Sequence, residues 1–218
     1  MKFFAFKRLM VSATAACVLV GSITACVPLI LSGAVAGGSL IATDRRTSGA
    51  QLEDEGIELR ALSRLRGEIG ERSHVNITSY NRQVLLTGEA ANEQDKQLIE
   101  QLVSRVENVN SIINELAVMG NATLTQRSSD ALVTGRVRAT LVDTRDLYAN
   151  AFKVVTERGT TYLMGRVTQR EADRVTEVVR GVPGVQKVVR IFEIISDQEL
   201  ARMLPSPAVP STPAAVKP

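Results

Sequence analysis

Few residues in this 218-residue chain could do bond-making chemistry: it holds one His and two Cys. His74 has no Ser or Cys placed with it in a nucleophile motif, and no Cys/His cluster has the spacing of a metal site. Carboxylate pairs such as Asp54/Glu55 fall in an acidic helix start, where they suit the helix dipole and imply no reaction. No catalytic or metal-binding residue is assigned, and no enzyme is expected. Two stretches still call for an account. YLMGRVTQREA (162–172) reads as a strand that ends at Gly165 and hands over to a helix, the order of many phosphate-binding loops. Arg166, Arg170 and Arg174 follow a four-residue spacing, with Arg180 beyond, but Glu171, Asp173 and Glu177 are interleaved. The run is a further basic candidate for binding, set against the plainer account of a solvated, salt-bridged face.

The N-terminus reads as a targeting signal. Lys2, Lys7 and Arg8 form a positive region and Leu9 to Val20 an apolar one of signal-peptide length. Ile23-Thr24-Ala25-Cys26 follows, and this resembles the lipobox of bacterial lipoproteins. The resemblance implies cleavage before Cys26, leaving 1–25 as the signal peptide, and covalent lipid on the Cys26 thiol and new amino group. No other cofactor is expected. A plain secretory signal or an uncleaved anchor is the alternative. Cys17 lies inside the apolar run and has Thr14 where the aliphatic residue belongs. Val27 follows the Cys; an Asp there tends to retain Gram-negative lipoproteins at the inner membrane, so the pattern resembles the outer-membrane one. Several acyl chains, at roughly 0.8 kcal/mol per buried CH₂, give a stable anchor where one alone does not. Residues 26–50 read as a lipidated, apolar linker, interrupted by Pro28, Gly33, Gly37 and Gly38.

The body is one unit written twice. LLTGEAANEQD (85–95) aligns with YLMGRVTQREA (162–172), placing Gly88 on Gly165. Ile57, Ala61 and Leu65 meet Val133, Val137 and Leu141, one apolar helix stripe in each copy. Each stripe precedes a strand pair: Val75–Thr78 returning as Val84–Leu86, and Phe152–Val155 returning as Thr161–Leu163. Asn81 and Gly159 suit the positive φ of tight hairpins. A second helix follows, with Leu98, Leu102 and Val106 as its stripe in copy one and Val175, Val179 and Val182 in copy two. The copies end in strands at Val109–Leu116 and Val185–Ile194. The order predicts an α+β fold: in each copy a three-stranded mixed sheet packed on two helices (αββαβ). The repeat also removes the phosphate-loop reading. Both copies keep the Gly, only one follows it with Arg, and no second Gly makes a nest. Thr168 with Glu171 offers a capping box instead, and Asn92 with Asp95 a related cap.

The run L-x-G, the second helix and GVPGVQKVV (181–189) together resemble the BON domain, with a weaker form at RVENVNSI (105–112). The chain is thereby expected to carry two tandem BON domains, at 51–118 and 126–196, with Gly88, Gly165 and Gly184 as structural positions. With the lipobox and ATDRRTSG (42–49), the whole resembles the dual-BON outer-membrane lipoproteins of proteobacteria. The resemblance implies a lipid-anchored outer-membrane protein facing the periplasm, without catalysis. It further implies phospholipid binding mainly by the second domain, and a role in envelope integrity. Residues 200–218 are Pro-rich and read as a disordered tail.

Charge separates the copies. Residues 51–116 hold 7 Lys/Arg and 12 Asp/Glu, a net −5; residues 127–195 hold 12 and 8, a net +4. A basic module gains roughly 1 kcal/mol per Lys/Arg near an anionic bilayer. In the first helix of copy two, Val133, Val137 and Leu141 face the core and leave Leu132, Gly135, Arg136 and Ala139 on another face. An exposed Leu beside an Arg fits interfacial insertion. Leu132, Val133, Gly135, Arg136 and Ala139 are therefore the lipid-binding candidates. In similar family members an aromatic stands near Leu132; here Tyr148 in the following loop is the nearest substitute. Leu132 packing against copy one is the competing account. Anionic phospholipids are the expected partner, with envelope proteins a further class. The second functional reading is a protein–protein adaptor for outer-membrane assembly or cell-wall remodelling. Nucleic acid is excluded by the lack of aromatic–basic interleaving. A monomer is expected.

Overall fold

Each copy begins with a helix started by a threonine cap. A computed structural model of the chain describes residues 44–203. In it, Thr47 Oγ1 accepts the Ala50 N–H at 3.1 Å to start α1 (Ser48–Glu68), and Thr123 does the same for Gln126 to start α3 (Leu124–Asp143). The buried positions of α1 are Asp54, Ile57, Ala61 and Leu65; those of α3 are Asp130, Val133, Val137 and Leu141. These are the predicted stripes, each with a buried Asp one turn earlier.

The hairpins follow. In copy one β1 (His74–Tyr80) pairs antiparallel with β2 (Gln83–Ala90). In copy two, after a short 3-10 turn at Ala149–Ala151, β5 (Lys153–Glu157) pairs with β6 (Thr160–Val167). The two turn residues are Asn81 and Arg82 in one copy and Arg158 and Gly159 in the other, all at positive φ. Such turns match the twist of the strands they join. The buried aspartates hold them. Asp54 accepts the N–H groups of Asn81 and Arg82, both at 2.8 Å, and Asp130 accepts those of Arg158 and Gly159 at 2.9 and 3.0 Å. Asp54 is thus a turn anchor; the helix-dipole reading is corrected, because its carboxylate points into the protein.

The second helices are α2 (Glu93–Ser104), capped by Asn92, and α4 (Gln169–Arg180), opened by the expected Thr168–Glu171 capping box. In α2 the fully buried stripe is Ile99 and Val103, continued by Val106, while Leu98 and Leu102 are only half-buried. The stripe read from sequence was rotated by one residue, since both sets share helical spacing. Val175, Val179 and Val182 of copy two are all buried. The last strands are β3 (Ser111–Asn114) with β4 (Ala117–Val118), and β7 (Lys187–Ile194); β3, β4 and β7 run parallel to the central strand of their copy. Both sheets are therefore mixed, and the first carries an interruption at Glu115-Leu116 that the second lacks. A short helix, α5 (Asp197–Met203), follows β7. The tail boundary placed at 200 falls inside it, and the linker boundary at 50 falls inside α1.

Gly165 does not end its strand. β6 continues to Val167, and Gly165 pairs with Phe192. A Cβ there would stand 2.5 Å from the Ala151 carbonyl oxygen, and one at Gly88 would stand 2.2 Å from that of His74. Gly in both copies permits that close backbone approach.

Alternation along the central strands buries both sheet faces. Val84, Leu86 and Ala90 face α1 and α2, while Leu163 and Val167 face α3 and α4. The opposite faces meet each other: Tyr80 and Leu85 of copy one pack with Tyr162, Met164 and Ile191 of copy two. The two small cores are thus joined by a third, with sheets inside and helices outside. Among the described residues no helix is long and apolar enough to cross a membrane.

Candidate functional site

The candidate surface lies on the outer face of α3. Val133 is buried in the core, 4% exposed, so its inclusion among the lipid contacts is corrected. Leu132 is 63% exposed, and Gly135, Arg136 and Ala139 are exposed with it. Leu132 does not pack against copy one. Helical spacing continues the same face to Val142, 71% exposed, which sequence reading missed. Its signal was available: residues 132, 135, 139 and 142 keep the i, i+3, i+7 pattern, but Val142 also follows core Leu141 directly. Tyr148 is half-exposed in the loop beyond.

Gly184 sets this helix against the rest of its domain. Its φ is +100°, and a Cβ there would stand 2.6 Å from Val133 Cγ2. The loop can therefore lie under α3, where the Pro183 carbonyl accepts a long 3.4 Å hydrogen bond from Arg136 Nη1. Arg136 makes no ion pair among the described residues. Its equivalent in copy one is Arg60, at the same place on α1, and that guanidinium is occupied: Nη2 donates to Glu53 Oε1 at 2.6 Å. Hydrogen bonds from Asn108 and Arg60 hold the Glu53 carboxyl below its usual range. The residue matching Glu53 in copy two is Ser129, so Arg136 stands beside apolar side chains with its charge uncompensated.

Of the other basic candidates two are engaged, while Arg170 and Arg180 make no ion pair among the described residues. Arg166 pairs with Glu193 at 2.9 Å and Glu199 at 3.0 Å, and Arg174 with Asp146 at 2.9 Å. Their partners are not the interleaved carboxylates: Glu171 is taken by Arg45 and Asp173 by Arg190, and only Glu177 approaches the run, 3.9 Å from Arg174. The largest electrostatic feature missed in the sequence is the segment Asp44-Arg45-Arg46. Arg45 is bound to Glu171 of copy two and to the Arg166 carbonyl oxygen. Arg46 is bound to Asp54 of copy one and lies 4.4 Å over the Tyr80 ring. Burial pushes the Glu171 carboxyl up, but the Arg45 and Thr168 hydrogen bonds outweigh it and hold the group low. Cys26 lies outside the described residues.

Residues 53–120 and 129–195 each match the BON domain, and the chain belongs to the BON-domain family. BON domains are lipid-binding modules rather than catalysts; the chain is an envelope-associated lipoprotein and not an enzyme. It is 32% identical over 172 residues to the outer membrane lipoprotein DolP of Haemophilus influenzae, covering 78% of this chain and 89% of that one. It is 30% identical over 154 residues to a 21 kDa hemolysin of Actinobacillus pleuropneumoniae, covering 70% and 79%. The first relationship supports an outer-membrane, periplasm-facing localisation for this chain. The C-terminal domain of CdsD, a type III secretion structural protein of Chlamydia trachomatis, covers 63% of the chain at 13% identity, with a TM-score of 0.28.

Proposed function

We propose that the second BON domain binds anionic phospholipid headgroups through the outer face of α3, while lipid on Cys26 holds the chain in the outer membrane. The contact set is Leu132, Gly135, Arg136, Ala139 and Val142. The observation that carries this reading is the unpaired Arg136 beside that apolar face, against the neutralised Arg60 of the first domain. Leu132 and Val142 would enter the interfacial region while the guanidinium meets phosphate. Such contacts are individually weak, near 1 kcal/mol per basic residue. The anchor makes them effective by raising the local concentration. Binding of this kind would support envelope integrity by keeping the domain pair at the bilayer surface.

The test uses the chain from Thr43 onward, without its anchor, and vesicles of phosphatidylglycerol or phosphatidylcholine. Sedimentation with the anionic vesicles alone, weakening as salt rises, is the expected result. Arg136→Glu and Leu132→Asp should each abolish it. Equal binding to both lipids would refute the reading.

A second reading, an adaptor for envelope proteins, rests on the first domain. A cleft of 380 Å³ between α1 and edge strand β1 is lined by Leu59, Leu62, Val75 and Ile77, and by Glu55 and Glu58, of which Glu58 is already held by Lys153 at 2.7 Å. An extended basic segment fits that chemistry. Glu55→Lys should abolish capture of such a partner and leave vesicle binding intact.

A further inference from the structure

His74, dismissed from sequence as a lone histidine, is not alone in space. It faces Glu89 directly across the β1–β2 ladder, with Nδ1 3.2 Å from Glu89 Oε2. Glu157 reaches the same point from the end of β5 in the other domain. One donor atom of each of the three residues lies within 4.8 Å of the other two. Gly88 keeps the space open, since a Cβ there would stand 3.3 Å from His74 Nδ1.

Each carboxylate is oriented from behind. Glu89 Oε1 accepts Arg158 Nε at 2.7 Å, and Oε2 accepts the Ala122 N–H at 3.0 Å. Glu157 Oε1 accepts a hydrogen bond from Asn76. Glu157 Oε2 is buried and has no hydrogen-bond partner. A buried carboxylate oxygen left unpaired costs on the order of 1–3 kcal/mol unless something occupies it. Burial pushes the Glu157 carboxyl up; the Asn76 hydrogen bond opposes this, and repulsion from Asp130 and Glu89 adds to it.

We propose that His74, Glu89 and Glu157 form a structural site for one zinc-type divalent ion, clasping the two BON domains together. Imidazole nitrogen and carboxylate oxygens at about 2.0–2.2 Å are ordinary zinc donors, and water supplies the fourth position. Two tetrahedral ligands at that range stand about 3.4 Å apart, close to the His74–Glu89 spacing. Glu157, within 4.8 Å of the other two donors, closes by a side-chain shift of up to about 1.4 Å to complete the set. The imidazole disfavours magnesium and calcium, which take oxygen shells. The hydrogen bonds from Asn76, Ala122 and Arg158 are the orienting second layer such sites require. Arg127 and Arg158 also face this space and oppose the ion, so affinity is limited by their charge.

The full chain, purified in detergent without a polyhistidine tag and stripped with chelator, should be titrated with zinc chloride by calorimetry. One zinc per chain is expected, with a raised melting temperature and no response to magnesium. His74→Gln and Glu157→Gln should each weaken binding at least tenfold while far-UV circular dichroism stays unchanged. No stoichiometric zinc, or the same affinity in both variants as in the parent chain, overturns the proposal. Vesicle binding through α3 is read separately and does not bear on it.

Discussion

Arg45 gives both terminal nitrogens of its guanidinium to the two oxygens of Glu171, at 2.9 and 2.6 Å, across 126 residues of chain. Both side chains are almost fully buried. Glu171 is also the N3 residue of the α4 capping box, so one carboxylate opens a helix and receives the N-terminal segment. Arg46, the next residue, turns to the other domain and meets Asp54, the anchor of the first hairpin. The segment just before α1 thus ties both domains.

Removing Arg45 should therefore cost more than an ordinary surface salt bridge. Arg45→Ala leaves Glu171 buried without its partner, a loss of about 3–5 kcal/mol by the measure of broken buried pairs. Urea unfolding of the chain from Thr43 onward would show it as a lower midpoint. A change below about 1 kcal/mol would mean the pair is solvated in practice.

Acid should unfold the protein through a small set of carboxylates. For Asp54, Glu89 and Glu171 burial acts upward, but backbone N–H groups and arginines win and hold all three below the usual range. A folded-state pKa below the unfolded one contributes stability that is complete above the unfolded value, near 4. That stability is lost as pH falls through the folded values. Unfolding free energy should fall steeply below about pH 4, while the raised Glu157 carboxyl adds a smaller opposite slope, stability that fades as pH rises above its unfolded value. Glu171→Gln should shallow that fall. A main transition between pH 5 and 7 would contradict this assignment.

Much of this was legible in the sequence, for a physical reason. Repetition let each copy correct the other: Gly88 explained Gly165, and periodicity alone located Ile57, Val137 and Val179 on buried faces. What failed was whatever depends on phase or on distant partners. Leu98 and Leu102 have the same spacing as Ile99 and Val103, and only the sheet beneath decides between them. Asp54 looked like one of several helix-start acids; its role needs the hairpin turn to lie against it. Arg45–Glu171, His74–Glu157 and the packing of Tyr80 on Tyr162's sheet join residues far apart in the chain, and no local pattern announces them. The Leu132–Ala139 face was legible because it breaks the pattern locally, with exposed apolar residues where charge is the norm.

The two buried aspartates offer a matched pair of tests. Asp54→Asn and Asp130→Asn keep size but weaken the charge-assisted hydrogen bonds to two turn N–H groups, worth about 1–3 kcal/mol in total. Hydrogen exchange should accelerate at Asn81 and Arg82 in the first variant and at Arg158 and Gly159 in the second, each change confined to its own copy. Asp54→Asn should be the more destabilising, because Asp54 also holds Ser79 Oγ at 2.7 Å and Arg46. Equal effects would show that those two extra partners contribute little.

The contrast between Arg60 and Arg136 can be moved from one domain to the other. Ser129 is exposed and occupies the place of Glu53, so Ser129→Glu should give Arg136 the acidic partner that Arg60 has. The apolar face of Leu132, Ala139 and Val142 is untouched by that change. If phosphate is read by the free guanidinium, binding to phosphatidylglycerol vesicles should fall several-fold and lose much of its salt dependence. Stability should move by less than about 1 kcal/mol, as for an exposed salt bridge. The reciprocal Glu53→Ser frees Arg60, but leaves it in a domain of net −5 charge, where repulsion from the bilayer should keep binding weak. Undiminished vesicle binding by Ser129→Glu would show that Arg136 is not the headgroup contact and that the apolar face acts without it.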